Sequence, residues 1–105
     1  MVRGGVNTID ELAAAVQRTG GVSVVARPGD TFAALCASVR NNRVRRTTVG
    51  QVLEAGGWIE PTDDAGDPPG HCNVHGLTAV RLDTILSEPE LNPVPRELRW
   101  RGTPT

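Results

Sequence analysis

The residues with the widest chemical range lie in one short segment, His71-Cys72-Asn73-Val74-His75. On a β-strand, side chains alternate between the two faces, so His71 and His75 share one face and Cys72 lies on the other. The histidines then stand about 13 Å apart at the usual rise per residue, too far to hold one metal ion. We therefore expect no metal and no cofactor. A loop would instead let these three side chains surround a metal, with Cys36 or Asp67 as a further ligand.

His71 follows Pro68-Pro69-Gly70 and accompanies the only basic run of the chain, residues 40–48. A histidine beside arginines is suited to act as general acid or base in metal-independent RNA cleavage. The phosphate would be bound through charge-assisted hydrogen bonds by Arg43, Arg45 and Arg46. A charge run is also typical of a solvated face, here one paired with the acids between Glu54 and Asp67, so both interpretations stay open.

From Thr48 onward the predicted order is a helix, a strand, a second strand that opens at Gly70-His71, and a helix. This order resembles that of HicA-type toxins, which have a double-stranded-RNA-binding topology. The resemblance covers about a third of the chain. Those toxins carry a Gly-Ser-His motif and a third strand, whereas the Ser is missing here and no third strand is predicted. The resemblance implies an RNA-cleaving role for His71.

Local signals predict a small two-layer α+β domain, with about four short helices against a two- or three-stranded, mainly antiparallel sheet. Thr8 and Thr48 each open a capping box, and Asp30 and Thr78 are placed to cap the other two helices. The last two strands are expected to form an antiparallel hairpin that the first strand joins. The predicted helices are 9–18, 31–40, 49–55 and 79–86, and the predicted strands are 22–26, 58–60 and 71–75.

Three regions follow from these elements: a flexible N-terminus at 1–7, a single domain at 8–86 and an extended tail at 87–105. Four prolines exclude regular structure from the tail. Its apolar side chains, Leu91, Leu98 and Trp100, are candidates for binding a partner. The same side chains would equally close one edge of their own domain.

Composition limits the function classes. The 105 residues suffice for one domain, and all 11 basic residues are Arg, an actinobacteria-like usage. The net charge of −1 gives no global attraction to nucleic acid or an anionic membrane. One Phe and two Trp provide few base-stacking platforms. No targeting segment is evident, which favours a cytoplasmic protein with reduced thiols, or export by a signal-less injection system.

The absence of a complete catalytic constellation favours a small non-catalytic bacterial protein-interaction module. Such a module would be an accessory, immunity or antitoxin-like partner, or a subunit of an effector or defence assembly, and its partner another protein. The alternative is a small toxin-like, metal-independent ribonuclease that uses His71 and the arginine run. Asp63, Asp64 and Asp67 lack calcium-loop spacing and are interpreted as a solvated loop.

Overall fold

The computed structural model describes residues 1–62 and 66–101. The helices are α1 Ile9–Thr19, α2 Phe32–Cys36, α3 Val49–Glu54, α4 Ala79–Ile85 and a 3-10 helix at Arg96–Leu98. The strands are β1 Val2–Gly4, β2 Gly21–Val25, β3 Arg43–Arg46, β4 Trp58–Pro61, β5 His71–His75 and β6 Glu90–Leu91. Within the described ranges, no helix has the length and apolar character that crossing a membrane requires. Asp63, Asp64 and the end of the predicted tail, 102–105, lie outside the described residues.

The strands form one sheet in the order β4-β5-β2-β1-β3-β6, and every neighbouring pair is antiparallel. The α+β class and the hairpin of β4 with β5 are confirmed, and β2 joins that hairpin as predicted. The prediction of only two or three strands is wrong, because the described residues form six. The additional strands pair with segments far away in the sequence, so no local pattern marks them. The α3–β4–β5–α4 order behind the resemblance is present, but it is only part of this sheet.

The first residues lie inside the sheet, in contrast to the flexible N-terminus predicted for residues 1–7. Strand β1 pairs with β2 on one side and with β3 on the other, and Val2 is buried. Asn7 follows with a positive φ of 55°, and its side-chain amide donates to the carbonyl oxygens of Gly4 and Gly5. A three-residue strand carries too little alternation to be recognised from sequence.

Two apolar clusters cover opposite faces of the sheet. Val24 belongs to the larger cluster with helices α1, α3 and α4, and Val25 to the smaller cluster with helix α2. Because neighbouring residues of a strand point to opposite faces, α2 lies on the face opposite the other helices. The two-layer prediction is therefore wrong: helices cover both faces. Helix α2 covers only part of its face, and the outward side chains of β5 lie on the remainder.

A threonine hydroxyl caps each of the four α-helices in the described ranges. The capping boxes of Thr8 and Thr48 and the cap at Thr78 are confirmed. The proposed Asp30 cap is wrong, because the Thr31 hydroxyl accepts the Ala34 N–H at 3.1 Å. Helix α2 also ends at Cys36, earlier than the predicted 40.

The described part of the tail docks on its own domain. The buried Asn92 side chain donates to the carbonyl oxygens of Cys36, Val39 and Asn41, at the end of α2. Strand β6 adds to β3, and the Trp100 N–H donates to the Ala37 carbonyl at 2.7 Å. The tail therefore contains short regular elements and forms one wall of the surface beside α2.

Candidate functional site

His71 is held through one ring nitrogen. Its Nδ1 lies 2.6 Å from the Thr62 hydroxyl and 3.2 Å from an Asp67 carboxylate oxygen. The Thr62 hydroxyl donates to the same Asp67 oxygen at 2.7 Å. The hairpin creates this arrangement, because the Thr62 N–H donates to the His71 carbonyl and sets the two residues side by side.

This hydrogen-bond pattern selects the tautomer of His71. A carboxylate only accepts, and the Asp67 oxygen lies within hydrogen-bond distance of both the Thr62 hydroxyl and Nδ1. Because a lone pair on Nδ1 would face the Asp67 carboxylate, we assign the imidazole proton to Nδ1, from which it is donated to Asp67. Nε2 of the neutral ring then holds a lone pair, and it has no hydrogen-bond partner within residues 1–62 and 66–101. A nitrogen in this state is suited to accept a proton from a ligand.

His71 lines a cleft of about 220 Å³ on the sheet face that α2 leaves partly open. The cleft forms where β1 separates from β2 after the single pair of Val2 with Val25. The Arg3 guanidinium bridges this separation by donating to the Ser23 carbonyl and the Asn7 side chain. The other walls include Val39, Arg40, Asn41 and Trp100. The tail and the end of α2 thus face His71 across the cleft.

A second cleft of about 270 Å³ shares Arg40 and Trp100 with the first. Its remaining walls are the side chains Arg96, Arg99 and Arg101. None of these arginines pairs with an acid within the described ranges. Arg99 is fixed instead by bonds to the carbonyl oxygens of Val94 and Arg40. The two neighbouring clefts concentrate positive charge in a chain of net charge −1, a setting suited to an anionic ligand.

The predicted phosphate-binding arginines do not lie in these clefts. Arg43 is exposed on β3, and Arg46 pairs with Glu90 at 3.3 Å while its guanidinium covers the Phe32 ring at 4.3 Å. Arg45 is buried and points to the other face of the sheet. Strand alternation places Arg45 and Arg46 on opposite faces of the sheet, so the structure does not bring the three predicted arginines together.

Arg45 is a structural residue. Its guanidinium donates to Asp83 at 2.9 Å and to four carbonyl oxygens, those of Asn7, Asp83, Leu86 and Ser87. These carbonyls belong to the N-terminal segment and to the end of α4. Arg45 therefore joins three segments of the chain and has no nitrogen free for a ligand.

The predicted partner-binding residues have different environments. Leu91 and Leu98 are 65% and 68% exposed. Trp100 is half-buried and lines both clefts. The two leucines remain candidates for a protein contact, whereas Trp100 belongs to the arginine-lined surface.

His75 lies on the same face of β5 as His71, as predicted, but both of its ring nitrogens are occupied. Nε2 lies 3.1 Å from Glu60 and Nδ1 3.2 Å from the Gly20 carbonyl, and the ring stacks on Trp58. Gly21, the cross-strand partner, leaves room for the ring, because a Cβ there would lie 2.8 Å from Nδ1. Hydrogen bonds to Glu60 and to the Gly20 carbonyl raise the pKa of His75.

Replacing His75 with Gln should cost more stability in mildly acidic solution than in alkaline solution. A raised folded-state pKa adds stability that is complete below the unfolded pKa, about 6.5, and is lost as pH rises through the folded pKa. Urea unfolding of wild type and His75→Gln at about pH 5.5 and pH 8.5 measures the difference. Glu60→Gln should remove the same pH dependence. An equal cost at both pH values would contradict this assignment.

The two cysteines are free and buried in different clusters. Burial, followed by the charge of Glu90, raises the pKa of Cys36 to about 11, and burial also raises the pKa of Cys72. Both thiols are therefore poor nucleophiles at neutral pH. In the part of the chain that the structure describes, no three His, Cys, Asp or Glu side chains are grouped as a metal site requires.

No family model matches the chain, and searches of curated proteins and of solved structures find no similar protein. The fold and site together define an α+β domain in which a histidine, oriented through one nitrogen, lines an arginine-rich cleft. Thr62 and the cleft arginines were not predicted from the sequence. Thr62 could have been found, because the predicted hairpin places the residue after β4 beside the start of β5.

Proposed function

We propose that this protein is a metal-independent ribonuclease that binds RNA in the arginine-lined clefts and uses His71 as its general base. One observation carries the proposal: Nδ1 of His71 is bound to Thr62 and Asp67, while Nε2 is left for a ligand, and His71 lines a cleft that shares Arg40 and Trp100 with the arginine-lined cleft. Asp67 is a positioning residue, because its contact with Nδ1 fixes the ring and the tautomer of His71. It does not itself contact the RNA.

The chemistry is an internal transesterification. Nε2 of His71 takes the proton of a ribose 2′-hydroxyl, and the 2′-oxygen attacks the adjacent phosphorus. The 2′-oxygen–phosphorus bond forms as the phosphorus–5′-oxygen bond breaks. The proton passes from the imidazolium, directly or through water, to the leaving 5′-oxygen. Charge developing on the phosphate is stabilised by the guanidinium groups of Arg3 and Arg40. The products are a 2′,3′-cyclic phosphate and a 5′-hydroxyl end.

The test uses end-labelled RNA incubated with purified protein in excess EDTA. We expect cleavage that leaves 2′,3′-cyclic phosphate ends. The same sequence carrying 2′-O-methyl groups throughout should bind and stay intact, because its nucleophile is blocked. RNA that stays intact at an excess of protein, or 2′-O-methyl RNA that is cut, would overturn the proposal.

A protein-interaction module is the second candidate function, and the exposure of Leu91 and Leu98 favours it. Large apolar side chains exposed on a docked tail are typical of a surface that a partner covers. The partner would be another protein, in an accessory, immunity, antitoxin-like or assembly role. Replacing both leucines with Ser should abolish co-purification of such a partner and leave RNA cleavage unchanged. Co-purification that survives the double replacement would exclude this surface.

A further inference from the structure

Trp100 is shared by the two clefts. Its side chain lines both, together with Arg40. Its backbone N–H donates to the Ala37 carbonyl at 2.7 Å, and the neighbouring Arg99 donates to the Arg40 carbonyl and the Asn42 side chain. The indole is therefore positioned by bonds on its own residue and on the residue before it. It offers an ordered apolar surface within a cationic groove.

The other large aromatic rings of the chain already have partners. The Arg46 guanidinium covers Phe32, and Trp58 stacks on His75 with 5.6 Å between ring centroids and an interplanar angle of 25°. Among residues 1–62 and 66–101, Trp100 has no ring or cationic partner. The half-buried Trp100 ring is thus the aromatic surface that remains for a ligand.

We infer that Trp100 stacks a base of single-stranded RNA while the surrounding arginines hold the phosphates on either side. This inference rests on the proposed function and specifies its substrate class. An aromatic platform in a positively charged groove is the usual way to bind single strands without strong sequence preference. A duplex keeps its bases stacked inside and cannot offer one to the indole. The RNA segment next to the stacked base then lies along the cleft that His71 lines.

The scarcity of aromatic residues in the sequence argued against single-strand binding. The structure changes that argument, because one correctly placed ring is enough to hold one base. Stacking on a single aromatic side chain strengthens binding by roughly tenfold or more. The arginines supply attraction that depends on salt and not on sequence. We therefore expect binding to weaken steeply as salt rises.

The experiment measures affinity by the fluorescence anisotropy of dye-labelled, single-stranded 2′-O-methyl RNA, an uncleavable probe, and follows Trp100 fluorescence separately in a Trp58→Phe background. We expect the RNA to quench Trp100 and Trp100→Leu to weaken binding about tenfold. Trp58→Leu, which changes the other indole, should bind normally. Trp100→Phe retains a ring and should recover most of the affinity, so a folding defect of the Leu variant is separated from lost stacking. A duplex of the same sequence should bind about tenfold more weakly.

Two results would overturn the inference: equal affinity of wild type and Trp100→Leu for single strands, or equal cleavage of single and double strands. Either can occur while RNA is still cut through His71, so the ribonuclease proposal would stand. Quenching of Trp100 fluorescence without any cleavage of unmodified RNA would lead to the opposite conclusion. It would support single-strand binding at Trp100 and refute the ribonuclease.

Discussion

His71→Ala should lose at least about a hundredfold in the rate of RNA cleavage, because a positioned general base contributes on the order of a hundred- to ten-thousandfold. The variant should still bind single-stranded 2′-O-methyl RNA as wild type does, since Trp100 and the arginines are intact. The comparison requires single-turnover cleavage rates in EDTA and affinities for the uncleavable RNA. His75→Ala is the matched control and should cleave at nearly the wild-type rate.

The Asp67→Asn variant tests whether Asp67 acts by positioning His71 and not by taking part in the cleavage reaction itself. The amide can donate to Nδ1, which favours the tautomer that carries the proton on Nε2. We expect a rate between those of wild type and His71→Ala, with a changed pH profile of cleavage and unchanged RNA affinity. A His75→Ala rate as low as that of His71→Ala would show that the loss reports damage to strand β5. Wild-type cleavage by His71→Ala would refute the proposed mechanism.

Arg45→Met should destabilise the protein by about 3 kcal/mol or more, because it removes the donor shared by four carbonyl oxygens. A buried acceptor left without a donor costs about 1–3 kcal/mol. Asp83 contributes less to this loss, because its side chain is 38% exposed and water can solvate it once the arginine is gone. Urea unfolding monitored by circular dichroism gives the change in unfolding free energy.

Arg43→Met is the control for Arg45→Met. Arg43 lies on the same strand, but it is exposed, so the substitution should change stability by no more than about 0.5 kcal/mol. Asp83→Asn should cost less than Arg45→Met, since the carbonyl contacts survive. Equal effects of the Arg43 and Arg45 substitutions would mean that the carbonyl network adds no stability.

The sequence correctly predicted the features that depend on residues close together in the chain. The capping boxes at Thr8 and Thr48 and the cap at Thr78 depend on residues within one helical turn. The alternation from His71 to His75 places both histidines on one face, as observed. Strands β1 and β6 escaped prediction, because their pairing partners lie far along the chain and their own lengths are three and two residues.

The sequence predicted the central residue of the candidate site, His71, but not the cleft around it. His71 was identified from its chemistry and its place at the start of a strand. Of the basic run at residues 40–48, Arg40 lines both clefts, whereas β3 carries Arg45 to the opposite face of the sheet. Only the docking of the tail brings Arg99 and Trp100 next to Arg40. No residue in the tail indicates where on the domain the tail docks.

The strand order has a consequence for how the chain folds. Ser23 and Asn73, cross-strand partners in β2 and β5, are 50 residues apart, so the middle of the sheet requires closure of a long loop. The entropy lost in closing this loop must be met before the cross-strand contacts can stabilise the sheet, and this requirement slows folding. Two pairs join consecutive strands: β1 and β2 are connected through helix α1 and share a single residue pair, whereas β4 and β5 form a hairpin with four residue pairs. The hairpin that orients His71 is thus the part of the sheet best placed to form first, and the cleft it faces is completed late, when the tail docks.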